Sequence, residues 1–96
     1  MTKDSKILDE LWKVINEREQ SSEESSYTRG MLEQGINKIS KKLGEEASEL
    51  IVATLAETKK EVVGESADLL YHWLLLLKAS GVEPSDVYQE LVNRRK

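Results

Sequence analysis

Residues 69–77, LLYHWLLLL, would be apolar nearly all round a helix, and a helix without a polar face must be covered on several sides. In a chain of 96 residues, enough for one domain and too short for two, that demand governs the fold. Other aliphatic segments must gather around this one. A second copy of the chain is the natural source of any cover the first cannot supply. The run is interrupted by His72 and ends at Lys78, so it falls short of the roughly 20 apolar residues of a membrane span.

The rest of the chain supplies the cover in helical periods. Leu8, Leu11, Trp12 and Ile15 fall on one face of a first helix that Asp4 or Ser5 can cap. Residues 20–27, QSSEESSY, read as a polar loop. A short helix carrying Met31 and Leu32 follows, capped by Ser26 or Thr28 and stopped near Gly35. The spacing predicts a long helix over 37–57 with Ile39, Leu43, Ala47, Leu50 and Leu55 as its apolar face. After a break at 58–60, a second long helix runs to Gly81, a good left-handed stop. Pro84 opens a last helix with Val87, Tyr88, Leu91 and Val92 turned inward. No alternating strand pattern persists, and no Asn-Gly or Asp-Gly turn occurs. The expectation is an all-α fold: residues 1–96 as a single domain, an antiparallel helical bundle built on a long helix hairpin and completed by dimerisation.

Composition narrows the chemistry. There is no Cys, which excludes disulfides and thiolate metal sites. Any metal must be held by oxygen or by the one histidine, His72. The formal charge of −4 argues against nucleic acid as a partner. The N-terminal MTKDSKILDELW has no apolar run of signal-peptide length, so the cytoplasm is expected and a membrane is not.

Two acidic groups stand out: Glu45, Glu46 and Glu49 on the first long helix, Glu65 and Asp68 on the second. Glu46 and Glu49 are three positions apart, as are Glu65 and Asp68, so each pair shares a helix face. Glu49 and Asp68 stand at similar distances from the hairpin turn, so the groups should meet at one height. Two carboxylates ~6 Å apart repel by about 3 kcal/mol at an effective dielectric of 20. A divalent cation removes that cost, and an all-carboxylate set suits Mg²⁺ or Mn²⁺ better than Zn²⁺. Acidic residues at this spacing are also common as solvated faces, and spacing alone leaves both readings open. Gly44 and Gly64, each mid-helix just before a glutamate, cost on the order of 1 kcal/mol against Ala and suggest the close approach of a backbone or ligand. Lys41 and Lys42 precede Glu45 and Glu46 by four residues, the weaker order for a helical ion pair. Both lysines are therefore candidates to meet an anion.

The ExxE and ExxD pairs, here Glu46 to Glu49 and Glu65 to Asp68, resemble those of the all-α nucleoside triphosphate pyrophosphatase superfamily, which includes the MazG-type enzymes and dimeric dUTPases. The longer words SYT (26–28), KISKKLGEEASE (38–49) and ESADLLYH (65–72) resemble the phosphoribosyl-ATP pyrophosphatase family, and the likeness extends from Leu11 and Arg18 to the closing LVNRR. A fused cyclohydrolase domain, present in some members, has no counterpart in these residues, so a stand-alone form is expected. The resemblance implies Mg²⁺-dependent hydrolysis of phosphoribosyl-ATP to phosphoribosyl-AMP and pyrophosphate, the second step of histidine synthesis, in a homodimer or higher assembly.

The family's metal carboxylates fall on Glu46, Glu49, Glu65 and Asp68. Glu45 or Glu46 would orient or deprotonate the water that attacks the α-phosphorus. Lys38 and Lys42 fall on its basic positions and would hold phosphates. Ser26, Tyr27 and Thr28 would either contact the substrate or cap and anchor the short helix, and Arg18 could reach a phosphate. His72, one turn beyond Asp68, is expected to orient a carboxylate. Tyr71 and Trp73 are expected to pack. Two other functions remain open at this point: hydrolysis of free nucleoside triphosphates on the same site, or a helical dimerisation module without catalytic activity.

Overall fold

The computed structural model describes residues 3–20, 26–56 and 58–95. Five helices follow one another: α1 (Lys6–Glu19), α2 (Tyr27–Gln34), α3 (Ile36–Ala56), α4 (Lys59–Ser80) and α5 (Pro84–Arg94). Among the described residues there is no strand. Helices α3 and α4 form the antiparallel hairpin and share the most extensive contact, while α2 packs against α1, α3 and α4.

Local chemistry fixes the helix ends. The Asp4 carboxylate accepts the Lys6 N–H at 2.9 Å, so Asp4 rather than Ser5 caps α1. The Ser26 hydroxyl accepts the Arg29 N–H at 3.2 Å and caps α2, which begins at Tyr27 where a loop residue was expected. Gly35, at φ 90° and ψ 179°, holds a backbone conformation open essentially to glycine alone. Its N–H closes α2 on the Met31 carbonyl, and its own carbonyl accepts from Ile39 N–H in α3, both at 3.2 Å. Gly81 (φ 73°, ψ 25°) ends α4 in the expected left-handed turn. There Val82 N–H reaches Leu77 O and Gly81 N–H reaches Lys78 O, the Schellman pair. Pro84 starts α5 as expected. Residues 21–25 of the expected loop lie outside the described residues.

The core is aliphatic. Ile15, Ile39, Leu74 and Leu75 are fully buried and Met31 nearly so, with Trp12, Leu32 and Tyr71 packed around them. Leu74 and Leu75 are neighbours, about 100° apart round the helix, so burying both means that α4 is covered on two sides. The expected inward faces of α3 and α5 need correction at their ends. Leu55 is 82% exposed, and Leu91 and Val92 are also exposed. At about 100° per residue, Leu55 lies on the opposite face of α3 from Ile39, whereas Glu46 and Ala53, the other buried residues of α3, lie nearly in line with it. Leu43, Leu69, Trp73 and Val87 line an open apolar groove of about 550 Å³. No described helix is long and apolar enough to cross a membrane.

Candidate active site

Glu46 and Glu49 on α3 meet Glu65 on α4, one carboxylate oxygen of each lying within 4.8 Å of the others. The hairpin register makes this possible. Glu46 and Glu49, one helical turn apart, point together across to α4. At that spacing each like pair repels by about 3 kcal/mol at an effective dielectric of 20. Asp68 lies outside the trio and is exposed, but its negative charge reaches both Glu65 and Tyr27. Glu45 is not brought in either. It faces outward, 3.8 Å from Lys42 Nζ.

Glu46 is the buried member, only 4% exposed. One of its oxygens takes the Lys42 ammonium at 3.1 Å. The Glu46 hydrogen bond, and then its charge, hold the Lys42 pKa above the ordinary lysine value, so Lys42 stays cationic. The other Glu46 oxygen, Oε2, is buried without a hydrogen-bond partner, and so is Glu65 Oε2. Buried carboxylate oxygens left bare are costly. Two of them, in a trio of converging acids beside a single lysine, match the donor set of a hard divalent cation. Ser48, Glu49, Val52 and Glu65 border an open depression of about 470 Å³, within the range of small-molecule sites.

Crowding shows in Glu65, whose pKa is raised. The first cause is a hydrogen bond with Glu49, followed by burial and by repulsion from Glu49, Asp68 and Glu46. The sign has a consequence for stability. The folded chain holds this proton more tightly than the unfolded chain does. The metal-free protein should therefore lose stability as pH climbs from the ordinary carboxylate value of 4.5 through the raised one. Mg²⁺ or Mn²⁺ should restore it above that window. Thermal unfolding across pH, with EDTA or with cation, measures both effects. Glu65→Gln should flatten this part of the profile. An unchanged profile in that variant would mean Glu65 is not the group responsible.

The start of α2 is bound to α4 beside this trio. The Tyr27 hydroxyl lies 2.7 Å from His72 Nε2, and His72 Nδ1 lies 2.7 Å from the Asp68 main-chain oxygen. His72 thus orients a phenol and a backbone carbonyl, not the carboxylate expected of it. Thr28 is fully buried and its hydroxyl pairs with that of Tyr71. Tyr71 therefore does more than pack. A tyrosine inside a run of leucines carries a hydroxyl that must find a partner, and that was the available signal. Partial burial first, then the charges of Glu46 and Asp68, raise the Tyr27 pKa, with Lys42 pulling the other way. Ser26 acts as the cap described above.

Lys38 is exposed one turn before Lys42, and Arg18 is exposed in the last turn of α1. Neither is drawn into the trio. Gly44 and Gly64 have nothing within 4 Å of where a Cβ would stand, so no neighbouring backbone explains them. They open onto free space.

Residues 8–95 match the phosphoribosyl-ATP pyrophosphohydrolase family. Among similar proteins is the phosphoribosyl-ATP pyrophosphatase of Paramagnetospirillum magneticum, 51% identical over 98% of this chain and 86% of its own length. Those of Sulfurisphaera tokodaii and Saccharolobus solfataricus are 46% and 45% identical, each over 96% of this chain and 98% of their own.

Proposed function

The chain belongs to the phosphoribosyl-ATP pyrophosphohydrolase family, and from that premise we propose that it hydrolyses phosphoribosyl-ATP to phosphoribosyl-AMP and pyrophosphate, as a step of histidine synthesis in the cytoplasm. The observation that carries the reading to this chain is the convergence of Glu46, Glu49 and Glu65 with two buried carboxylate oxygens left bare.

A divalent cation, Mg²⁺ or Mn²⁺, held by these three with Asp68 beside them, would offset the negative charge that a departing pyrophosphate carries. The chain's own groups have separate tasks. Lys42 fixes Glu46 through its 3.1 Å contact and keeps a positive charge next to the acids. Lys38, one turn away and open to solvent, offers an ammonium to a phosphate. Of the two glutamates able to take a proton from water, Glu46 is the better placed, because one of its oxygens joins those of Glu49 and Glu65 while Glu45 looks outward. The oxygen of that water bonds to the α-phosphorus as the bond to the pyrophosphate oxygen breaks, and the released proton passes to the carboxylate.

A second copy of the chain is the occupant we assign to the apolar groove lined by Leu43, Leu69, Trp73 and Val87. The half-buried Leu69 and Trp73 belong to the all-apolar run of α4, and one small chain does not cover them.

Pyrophosphate release, assayed with phosphoribosyl-ATP, dUTP and ATP side by side on a sample whose mass is set by light scattering, tests the whole reading. Cation-dependent release from phosphoribosyl-ATP by an assembly of two or more chains is expected. Equal release from dUTP or ATP would shift the function to free nucleoside triphosphates. No release from any substrate would leave a helical assembly module.

A further inference from the structure

The contacts of His72 fix the direction of a hydrogen-bond chain. A main-chain carbonyl can only accept, so His72 donates Nδ1–H to Asp68 O at 2.7 Å. When the ring is neutral, Nε2 then carries the lone pair, and the Tyr27 hydroxyl, 2.7 Å away, is the donor. The single phenolic proton of Tyr27 is thereby used inside the protein. His72 is 6% exposed, while Tyr27 is 50% exposed and stands edge-on to the His72 ring at 5.8 Å and 83°. The buried partner therefore sets the pose of the exposed one. Through His72 the Tyr27 phenol is joined to the main chain of Asp68, next to the carboxylates on α4, and the charges of Lys42, Glu46 and Asp68 reach it, which puts it at the rim of the carboxylate site.

We propose that His72 is a positioning residue acting through Tyr27: it holds the ring of Tyr27 at the rim and leaves the phenol oxygen there as a hydrogen-bond acceptor, matched to a sugar hydroxyl of the substrate and not to a phosphate oxygen. A phosphate oxygen at neutral pH brings no proton to share, whereas a ribose hydroxyl can donate one. Tyr27 then sorts the two ends of the ligand, keeping phosphates toward Lys42 and Lys38 and sugar toward α2. Thr28, bound to Tyr71 on α4, anchors the next residue of the same turn.

The catalytic arm of the test rests on the phosphoribosyl-ATP reading; the spectroscopic arm does not. His72 is the only histidine in the chain, so ¹⁵N-histidine labelling gives the spectrum of one ring. A neutral ring protonated at Nδ1, unchanged when inorganic pyrophosphate and Mg²⁺ are added, is the expected result. A proton on Nε2, before or after that addition, would overturn the proposal, because Tyr27 would then be free to donate. In kinetics, His72→Asn keeps a donor for the Asp68 carbonyl but does not reach Tyr27. It should raise KM for phosphoribosyl-ATP about tenfold, as loss of an orienting partner does, with kcat little changed. His72→Gln, whose amide oxygen sits near the position of Nε2, should restore most of the loss. In a Tyr27→Phe background, His72→Asn should add nothing. An equal fall in kcat, no rescue by Gln, or additive losses in the double variant would each show that His72 serves the fold alone.

Discussion

Glu49→Gln should lower kcat/KM for phosphoribosyl-ATP about a thousandfold, since a cation's charge stabilisation of several kcal/mol is at stake and each 1.36 kcal/mol is tenfold in rate. The fold should survive. Glu49 is exposed and supports no core contact, and its amide isostere removes one of three like charges gathered within 4.8 Å. The metal-free variant should therefore melt no lower than the metal-free parent, and less electrostatic crowding should raise the transition. Stabilisation by Mg²⁺ or Mn²⁺ should shrink in parallel with activity. Steady-state kinetics and thermal unfolding with and without cation measure both. Near-full activity in Glu49→Gln would remove Glu49 from the ligand set. A large drop in metal-free stability would show that its role is structural.

Leu74→Ala should destabilise the protein by about 3 kcal/mol, within the 2–5 kcal/mol that large-to-small core changes cost. Leu74 has no solvent exposure and sits against Ile15, Met31, Ile39 and Leu75, so the deleted atoms leave a cavity that three other helices cannot all collapse into. For a domain of this size the melting temperature should fall by on the order of 15 °C. Leu55→Ala is the matched control. With that side chain 82% exposed, the loss should stay within about 0.5 kcal/mol in the single chain. Denaturant or thermal unfolding of the two variants side by side decides it. Similar losses in both would mean that a second copy covers the hairpin tip and that the two leucines are equally buried in the assembly.

That pair of leucines also shows what the sequence could convey. Helix ends were legible because the cause is local: Ser26, Gly35, Gly81 and Pro84 each act through their own backbone or an adjacent N–H. The inward face was legible only where neighbours lie alongside. Periodicity marks Leu55, Leu91 and Val92 as apolar, but nothing in it says where the covering helices stop. In the site, antiparallel pairing was enough to bring Glu46 and Glu49 to Glu65. Asp68 falls outside the trio although it stands three residues from Glu65 as Glu49 does from Glu46; its side chain is one methylene shorter than a glutamate's. Glu45 is about 100° round from Glu46 and looks away. The Tyr27 to His72 bond joins residues 45 positions apart in sequence, a pairing that no local pattern encodes.

The turn between α3 and α4 carries one more consequence. Helix α3 ends at Ala56 and α4 begins at Lys59, so the stretch from Glu49 to Glu65 behaves as a ruler folded at its middle. Adding or deleting a single residue within either arm would swing one carboxylate about 100° around its axis and slide it ~1.5 Å along it. Side chains at the tip are free to vary, as the exposure of Ile51, Leu55 and Val63 allows, but the count between the two acids is not.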